Sequence, residues 1–354
     1  TAAAVPSPGE VESLFGIDLY KDGIQPVWLE VENRGDQRAR ILPYSIDRDY
    51  YSPLEIAWAY RKKFASSSRD DMERWFYDNA LDRRVPPGEK RSGFVFTHAI
   101  EGTKGFNLDI YSDNQSRQFT FFVPVPGFRP DYMDVDFQNL YAEDQIGRVD
   151  FPSLSDYLES MPCCTSDAEG VAAGDPLNVV IVGTPEAVRR TLLRGRWQET
   201  QSGSPVTRLA RRHYFNGRQP DGTFHKSRPD GRERKELRLW LAPVLVDGLT
   251  TWIGHVSYDM SGKSLIRDLS DYQIDPDVDD ARTFLVQNFW YNQSLRGLSM
   301  VEGIAPNSIE SPRVNFLGGE YFTDGQRVVL WVSEDPVGMD ETDLLMGWEP
   351  EKDD

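Results

Sequence analysis

The sequence predicts an α+β protein with an antiparallel β-sandwich first and then a domain of helices on a mainly antiparallel sheet. Short alternating apolar segments recur through residues 11–125, with Gly, Pro, Asn and Asp between them. After residue 153 such segments are interspersed with helical patterns. A chain of 354 residues also exceeds what one hydrophobic core usually serves, so two domains are expected.

The N-terminal part is interpreted as an immunoglobulin-like β-sandwich over residues 11–125, after a flexible start at residues 1–10. Its predicted strands are LFGIDLY, VWLEVEN, ARILPYS, SGFVFT, FNLDIYS and QFTFFVPV. Short strands separated by turn residues are typical of such sandwiches, and the later pairs look like those of bacterial immunoglobulin-like domains.

A helical insert, residues 52–81, interrupts these strands. Ser52 and Glu55 predict a capping box with a proline at the first helical position, and Ser68 predicts a second start. Helices are therefore expected over residues 53–64 and 69–80.

The insert is rich in aromatic side chains, which are candidates for binding a protein partner or a membrane surface. The candidate residues are Trp58, Trp75 and Phe76. The commoner alternative is that an aromatic stripe only covers the sandwich.

Residues 126–152 are rich in turn formers and predict a connector to an α+β domain over residues 153–334. In that domain SLSDYLESM predicts a helix, and TPEAVRRTLLRG predicts another with Thr184 as its N-cap. The predicted strands are PLNVVIVG, KELRLWLAPVLV, LTTWIGHVSYDM, GLSMVEGI and GQRVVLWVS. Residues 335–354 form an acidic tail.

The aspartates of YQIDPDVDDARTFLVQNFWYNQSL alternate as calcium-loop ligands do, but the pattern favours a helix start. A calcium loop beginning at Asp275 requires Gly and Glu where Asp280 and Val286 stand. Asp277 suits an N-cap, and Asp279 suits the positive end of the helix dipole. The apolar residues at helical spacing are Val278, Ala281, Phe284, Leu285, Phe289 and Leu295.

The net charge is −18, yet residues 189–238 hold 14 Lys and Arg against 5 Asp and Glu. This basic block predicts binding of an anionic lipid or a phosphate group. The candidate anion-binding residues are Arg208, Arg211, Arg212, Arg218 and Lys226. The favoured alternative is a solvated face neutralised by acidic residues elsewhere in the chain.

The motifs for catalysis are weak, and none indicates a cofactor or a metal. His255, Ser257 and Asp259 would share one face of a strand, which suits acid–base chemistry. The favoured alternative is the wet side of a half-exposed sheet. If the protein is an enzyme, the candidate catalytic residues are His213, His225, His255 and Asp259.

The adjacent cysteines Cys163 and Cys164 fit no metal-binding spacing. They could form a disulfide or remain reduced in a packed loop. The chain has no apolar run of the roughly 20 residues that a membrane-spanning helix needs. Its opening, TAAAVPSPGE, favours an exported mature protein after signal removal.

The second half resembles the LssY C-terminal domain family over about residues 153–334. The segments that carry the resemblance are GDPLNVVIVGTPEAVRRTLLRGRW, GRQPDGTFHK, LRLW, WIGHVSYD and YQIDPDVDDARTFL. It implies an envelope-associated bacterial protein at the periplasmic or extracellular face. The family tends to carry histidine just before LRLW, where this chain has Lys235 and Glu236.

We therefore expect a non-catalytic envelope protein that serves as a binding or accessory module for an envelope or membrane protein. The alternative is a hydrolase that acts on phosphate-containing or lipid-like substrates. No nucleic-acid partner is expected from the acidic composition.

Overall fold

The structure is a computed structural model that describes residues 1–47, 50–227, 234–259 and 274–344. The chain divides into two compact units, Thr1–Phe128 and Arg129–Asp354. The fold is α+β with mainly antiparallel sheets, as predicted.

The first unit is built from two antiparallel sheets. Its strands are β1 (Ala2–Ala4), β2 (Ile24–Glu32), β3 (Ala39–Leu42), β4 (Arg84–Val85), β5 (Lys90–His98), β6 (Thr103–Ser112) and β7 (Gln115–Pro124). One sheet has the order β1-β2-β5 and the other β4-β3-β6-β7. Val27 and Leu29 pack in one core with Ile41 and Leu108, so apolar side chains of both sheets meet, as in a sandwich. The likeness to immunoglobulin-like domains stays a prediction.

The start of the chain is ordered, which corrects the expectation of flexibility over residues 1–10. Strand β1 pairs with β2, and Ser7 caps helix α1 (Pro8–Phe15) through a capping box with Glu10. The prediction of a strand at LFGIDLY is wrong as well. Helix α1 ends there because Gly16 adopts a left-handed conformation, with φ at 68°.

The helical insert forms α2 (Pro53–Tyr60) and α3 (Arg69–Asp78), each shorter than predicted. The capping box is confirmed, since Ser52 Oγ accepts from the Glu55 amide and Glu55 accepts from the Ser52 amide. Ser68 precedes α3 without a side-chain cap bond. Short 3-10 turns complete the unit at Tyr20–Asp22, Pro43–Ser45, Arg61–Lys63 and Ser66–Ser68.

The second unit is organised around one large sheet, nine-stranded within the described residues, with the order β12-β13-β14-β15-β11-β19-β16-β20 and with β8 beside β14. The strands of the unit are β8 (Gly147–Val149), β9 (Cys164–Ser166), β10 (Ala173–Pro176), β11 (Val179–Val182), β12 (Gln198–Glu199), β13 (Gly222–Ser227), β14 (Arg234–Val246), β15 (Leu249–Asp259), β16 (Leu295–Val301), β17 (Arg313–Val314), β18 (Glu320–Tyr321), β19 (Arg327–Val332) and β20 (Asp343–Leu344). The helices are α4 (Phe151–Ser160), α5 (Pro185–Arg194), α6 (Pro205–Ala210) and α7 (Val278–Tyr291), with 3-10 turns at Asp131–Asp134 and Glu143–Gln145.

Side chains alternate between the two faces of this sheet, and both faces are covered. On the α5 side, Val179 and Ile181 pack with residues of α5 and α7. On the α4 side, Val180 and Val182 pack with Leu154 of α4. Long apolar strand segments such as PLNVVIVG reflect this double burial.

Two predicted boundaries of the second domain differ from those in the structure. Residues 129–152 are part of the compact unit rather than a connector, because β8 joins the large sheet beside β14. In the tail expected over residues 335–354, β20 pairs with β16, and residues 345–354 lie outside the described residues.

The helix start at the alternating aspartates is confirmed. Asp277 is the N-cap of α7, and its carboxylate accepts from the Asp279 amide at 3.1 Å. Asp279 also accepts from the Thr323 hydroxyl, which ties the first turn to a neighbouring loop. Leu295, expected on the helix, instead begins β16.

Candidate functional site

Polar side chains line the α4 side of the adjacent strands β13, β14 and β15. The rows across the strands are Thr223–Arg238–His255, His225–Glu236–Ser257 and Ser227–Arg234–Asp259. His255, Ser257 and Asp259 therefore share one face, as predicted. The expectation of a wet face is wrong, because these side chains are 0%, 0% and 1% exposed.

Asp175 of β10 is the centre of this buried polar cluster. Its Oδ2 accepts from Arg238 Nη2 at 2.7 Å, and its Oδ1 accepts from Asn315 Nδ2 at 2.6 Å. Two imidazoles approach the same Oδ2, with His213 Nδ1 at 3.6 Å and His255 Nε2 at 3.7 Å. The pairing with Arg238 compensates a carboxylate that would otherwise be buried without a countercharge.

Burial by itself would raise the pKa of Asp175, but His213, His255 and Arg238 lower it below the ordinary value. Burial also lowers the pKa of His255 to about 4 and that of His213 well below its ordinary value. The lowered pKa values favour neutral imidazoles near pH 7, and the Arg238 guanidinium is then the charge that remains beside Asp175.

The tautomer of His255 follows from its surroundings. Its Nδ1 lies 2.7 Å from the carbonyl oxygen of Pro176, so Nδ1 donates there and Nε2 carries a lone pair. Among the described residues Nε2 has no hydrogen-bond partner. An imidazole nitrogen of this kind can accept a proton, which is the chemistry expected of a general base.

The other catalytic candidates are not arranged as a nucleophile with its base. Ser257 Oγ has no hydrogen-bond partner within the described chain, although a serine nucleophile would be bonded to its base. His225 faces Thr200 at 3.4 Å, and burial lowers its pKa to about 4. Asp259 forms an ion pair with Arg234 at 3.0 Å.

Segments from outside the large sheet cover the buried polar cluster. Thr165 Oγ1 lies 3.2 Å from His213 Nδ1, and the ring of Phe316 lies 5.0 Å from that imidazole. His213 is only 1% exposed as a result. The cluster is chemically suited to proton transfer but has no exposed side for a substrate in this arrangement of the described residues.

Within the described residues, no group of three His, Cys, Asp or Glu side chains has an arrangement that could hold a metal ion. Cys163 and Cys164 are joined in a disulfide, which resolves the alternatives left open by their adjacency. Cys164 Sγ lies 3.8 Å from the hydroxyl of Tyr321.

Four of the five candidate anion-binding residues make separate intramolecular contacts. Arg211 pairs with Asp134 at 3.3 Å, and Arg218 pairs with Asp221. Arg208 donates to the carbonyl of Gly203, and Arg212 is exposed. Arg228 and Arg232 of the same basic block lie outside the described residues.

Lys226 caps the end of α5, because its Nζ donates to the carbonyl oxygen of Gly195 at 2.5 Å. Burial, together with Arg196 and Lys235, lowers the pKa of Lys226 to about 8. Lys226 therefore has a structural role at the end of α5.

The candidate partner-binding residues divide into two groups. Trp58 is 61% exposed with Arg61 stacked on its ring, and Trp75 is 48% exposed with its indole N–H donating to Leu14. Phe76 is fully buried in an aromatic core with Phe15 and is therefore not a surface residue. The prediction of a binding role for Phe76 is wrong because helical spacing turns it inward from Trp75.

A pocket of about 430 Å³ lies on the α5 side of the large sheet, under residues 132–137. Its lining is mainly apolar and aromatic and includes Tyr132, Val135, Phe137, Val188, Phe224 and Trp252. Phe137 meets Trp252 edge-on at 5.8 Å, and Tyr132 stacks on Phe224 at 6.2 Å. Ligand pockets in proteins typically enclose about 300–1,000 Å³, so this one has the size for a small molecule.

The polar groups of the pocket wall are held by intramolecular contacts. The Tyr132 hydroxyl donates to Glu199 at 2.6 Å and accepts from Arg189 Nε at 3.1 Å. Asp221 accepts from the Leu241 amide at 2.7 Å, and burial raises its pKa. None of the five candidate anion-binding residues lines this pocket.

Sequence patterns alone indicate neither this pocket nor the role of Asp175. Tyr132, Met133, Val135 and Phe137 line the pocket, and they belong to a segment whose turn-forming composition predicts a connector. Asp175 lies in GDPLNVVIVG, one of the segments that carry the family resemblance, but nothing in that segment indicates a buried carboxylate. A signal for the buried polar cluster is present in the sequence, because β13, β14 and β15 each carry alternating polar residues. These residues form adjacent rows when β14 pairs with β13 and with β15.

The second unit is thus an α+β domain with a large mixed sheet, a buried polar cluster on one face and an apolar pocket on the other. Residues 204–326 match the family described as the LssY C-terminus, which confirms the resemblance for that segment. This part of the second unit is therefore similar to the LssY C-terminus. No curated protein matches the chain.

The matched segment contains His213, Arg238 and His255 of the buried polar cluster, and Trp252 of the pocket. Asp175, α5 and residues 132–137 lie outside it. No helix in the described ranges is both long enough and apolar enough to cross a membrane.

Proposed function

We propose that the protein is a non-catalytic binding module of the bacterial cell envelope, whose second unit binds a small lipid-like molecule in the pocket beside α5. The observation that carries the proposal is the pocket itself, with its size and its mainly apolar and aromatic wall. The Cys163–Cys164 disulfide favours an oxidising compartment, as expected for the periplasmic or extracellular face.

Binding, rather than catalysis, is favoured by the state of the candidate catalytic residues. His213 and His255 are buried, and Ser257 Oγ makes no hydrogen bond to a base within the described residues. The pocket lies on the opposite face of the sheet, so a ligand there would not reach the buried polar cluster.

The test is binding of an apolar fluorescent probe, such as N-phenyl-1-naphthylamine, to the full chain. Met133 lines the pocket and is 56% exposed, so Met133→Trp should obstruct the pocket without disturbing the core. Met300→Trp is the matched control, because Met300 is 36% exposed and does not line the pocket. We expect probe binding to be lost in Met133→Trp and kept in the control; equal binding by both variants would contradict the proposal.

We also propose that the first unit docks on an envelope or membrane protein through Trp58 and Trp75. Exposed aromatic side chains of this size are common anchors in protein interfaces. Trp58→Ser should abolish cross-linking to a partner in envelope extracts while the melting temperature stays unchanged. Unchanged cross-linking would show that Trp58 does not bind the partner.

A hydrolase acting on phosphate-containing or lipid-like substrates is the second candidate function. The observation in its favour is the unprotonated Nε2 of His255 beside Asp175. This function predicts turnover of an ester or phosphoester substrate that is lost in His255→Gln. Absence of turnover across both substrate classes would exclude it.

A further inference from the structure

The segments that cover the buried polar cluster are held together as one hydrogen-bonded unit. Strands β9 and β10 pair antiparallel, and Thr165 of β9 places its Oγ1 3.2 Å from His213 Nδ1. Strand β10 also holds the second covering side chain, because the Phe316 amide donates to the carbonyl oxygen of Ala173 at 2.9 Å. A Cβ on Gly174 would collide with Thr165 Oγ1, so the cover is closely packed. The position of β9 and β10 therefore determines whether His213 is covered.

The Cys163–Cys164 disulfide lies at the start of this cover. Cys164 is the first residue of β9 and pairs with Pro176, and the carbonyl oxygen of Cys163 accepts from the Leu177 amide at 2.8 Å. Both cysteines keep part of their surface in solvent. Because Thr165 follows Cys164 directly, a change at the disulfide acts on the backbone that holds the covering side chain.

A disulfide between adjacent residues suits reversible chemistry better than global stabilisation. It connects no distant segments, and the chain-entropy relation gives a disulfide its smallest effect when the closed loop is shortest. For a loop of two residues that relation gives an effect of about 10-fold on an opening equilibrium. Such an effect is small against the stability of a whole domain, but it applies in full to a local opening of β9.

We propose that Cys163–Cys164 is a thiol–disulfide exchange site for a dithiol donor, and that its reduction uncovers His213 and the buried polar cluster. One donor thiolate attacks Cys163 Sγ and forms a mixed disulfide, while the bond between the cysteines breaks and Cys164 leaves as a thiolate. The Tyr321 hydroxyl, 3.8 Å from Cys164 Sγ, can donate to that thiolate. The second donor thiolate then attacks the donor sulfur of the mixed disulfide and releases Cys163.

The exchange conserves electrons and protons. The donor gives up two electrons and two protons and becomes a disulfide, whereas Cys163 and Cys164 both become thiols. Reduction then permits the local opening of β9 that moves Thr165 away from His213. This inference goes beyond the proposed function, because the cover lies on the face of the sheet opposite the pocket.

The test treats the full chain with dithiothreitol as the dithiol donor and makes two measurements. Mass spectrometry after reaction with iodoacetamide counts the free thiols of the folded chain, and modification by diethyl pyrocarbonate reports the accessibility of His213. We expect two labelled cysteines per chain, and His213 should react about 10-fold faster after reduction than in the disulfide form. His98 is the internal reference, because its side chain is 50% exposed in the first unit and its reaction should not change.

Two variants separate the steps. The double variant Cys163→Ser with Cys164→Ser cannot form the disulfide, so His213 should react fast with or without dithiothreitol. Tyr321→Phe keeps the ring and removes the hydroxyl beside Cys164, so its disulfide should be reduced about 5-fold more slowly than that of the native chain.

Each step has a result that would overturn it. A disulfide that dithiothreitol leaves intact in the folded chain would refute the exchange site. If His213 stays equally protected in the reduced chain and in the serine double variant, the uncovering is wrong. Equal reduction rates for Tyr321→Phe and the native chain would rule out Cys164 as the leaving thiolate. Binding of N-phenyl-1-naphthylamine, which should be the same in both redox states, tests the proposed function separately.

Discussion

Acidification from about pH 7 to about pH 5 should destabilise the second unit through His255. The pKa of this imidazole is lowered from 6.5 to about 4 by burial, so the unfolded chain takes up a proton in this range before the folded chain does. The stabilising contribution is full above pH 6.5 and is lost as pH falls towards 4. The resulting loss at pH 5 is about 2 kcal/mol of unfolding free energy.

Other groups titrate in the same range, so the effect has to be isolated by substitution. His225, whose pKa burial also lowers to about 4, adds to the loss. Asp131 opposes it, because burial raises its pKa to about 6 and the folded state gains its proton first. His255→Gln removes one titrating group and leaves these two in place.

The assay is urea unfolding followed by tryptophan fluorescence at both pH values, with hydrogen exchange at β15 to report the second unit alone. The stability difference between the two pH values should be smaller by about 2 kcal/mol in His255→Gln than in the native chain. His98→Gln is the control, since His98 lies in the first unit and its side chain is 50% exposed. Equal pH dependence in His255→Gln and the native chain would refute the buried neutral imidazole.

Four further substitutions test other parts of the structure. Phe76→Ser should destabilise the first unit by at least about 3–5 kcal/mol in denaturant unfolding, because it removes a fully buried aromatic ring. Arg238→Met should cost about 3–5 kcal/mol in the second unit, because Asp175 would be left as an unpaired buried charge. Asp277→Ala should cost about 1 kcal/mol, and chelation should leave the melting temperature unchanged, because the carboxylate caps α7. Arg211→Glu should not alter the thermal response to phosphate at constant ionic strength, because this arginine is already paired within the chain.

Each of these predictions has a contradicting result. A stable Phe76→Ser chain would place the ring outside the core, and a neutral Arg238→Met would show that Asp175 is protonated in the folded state. A large loss of melting temperature on chelation would restore the calcium interpretation of the aspartates. Phosphate stabilisation that disappears in Arg211→Glu would restore the anion-binding interpretation.

Local structure can be predicted from the sequence where residues close together in the chain determine it. The capping box at Ser52, the N-cap at Thr184 and the N-cap at Asp277 all form as predicted. Each depends on a hydrogen bond between residues at most three positions apart. The same holds for the shared face of His255, Ser257 and Asp259, which follows from strand periodicity alone.

Burial, in contrast, is decided by segments that are distant in sequence. The polar strand face looked suited to water, but Asn315 and the segment of His213 cover it and supply partners to Asp175. Residues 1–10 looked flexible by composition, yet β1 is fixed by pairing with β2. Composition describes what a segment prefers in isolation, whereas tertiary pairing determines where it lies.

The central claim, that the second unit binds a small lipid-like molecule in its pocket, is tested most directly by mass spectrometry of the organic extract of the full chain purified from bacteria without detergent. The native chain should retain a lipid-like molecule near one per chain, and Met133→Trp, which obstructs the pocket, should retain none. A native chain without a retained lipid-like molecule, or equal retention by both chains, would contradict the account.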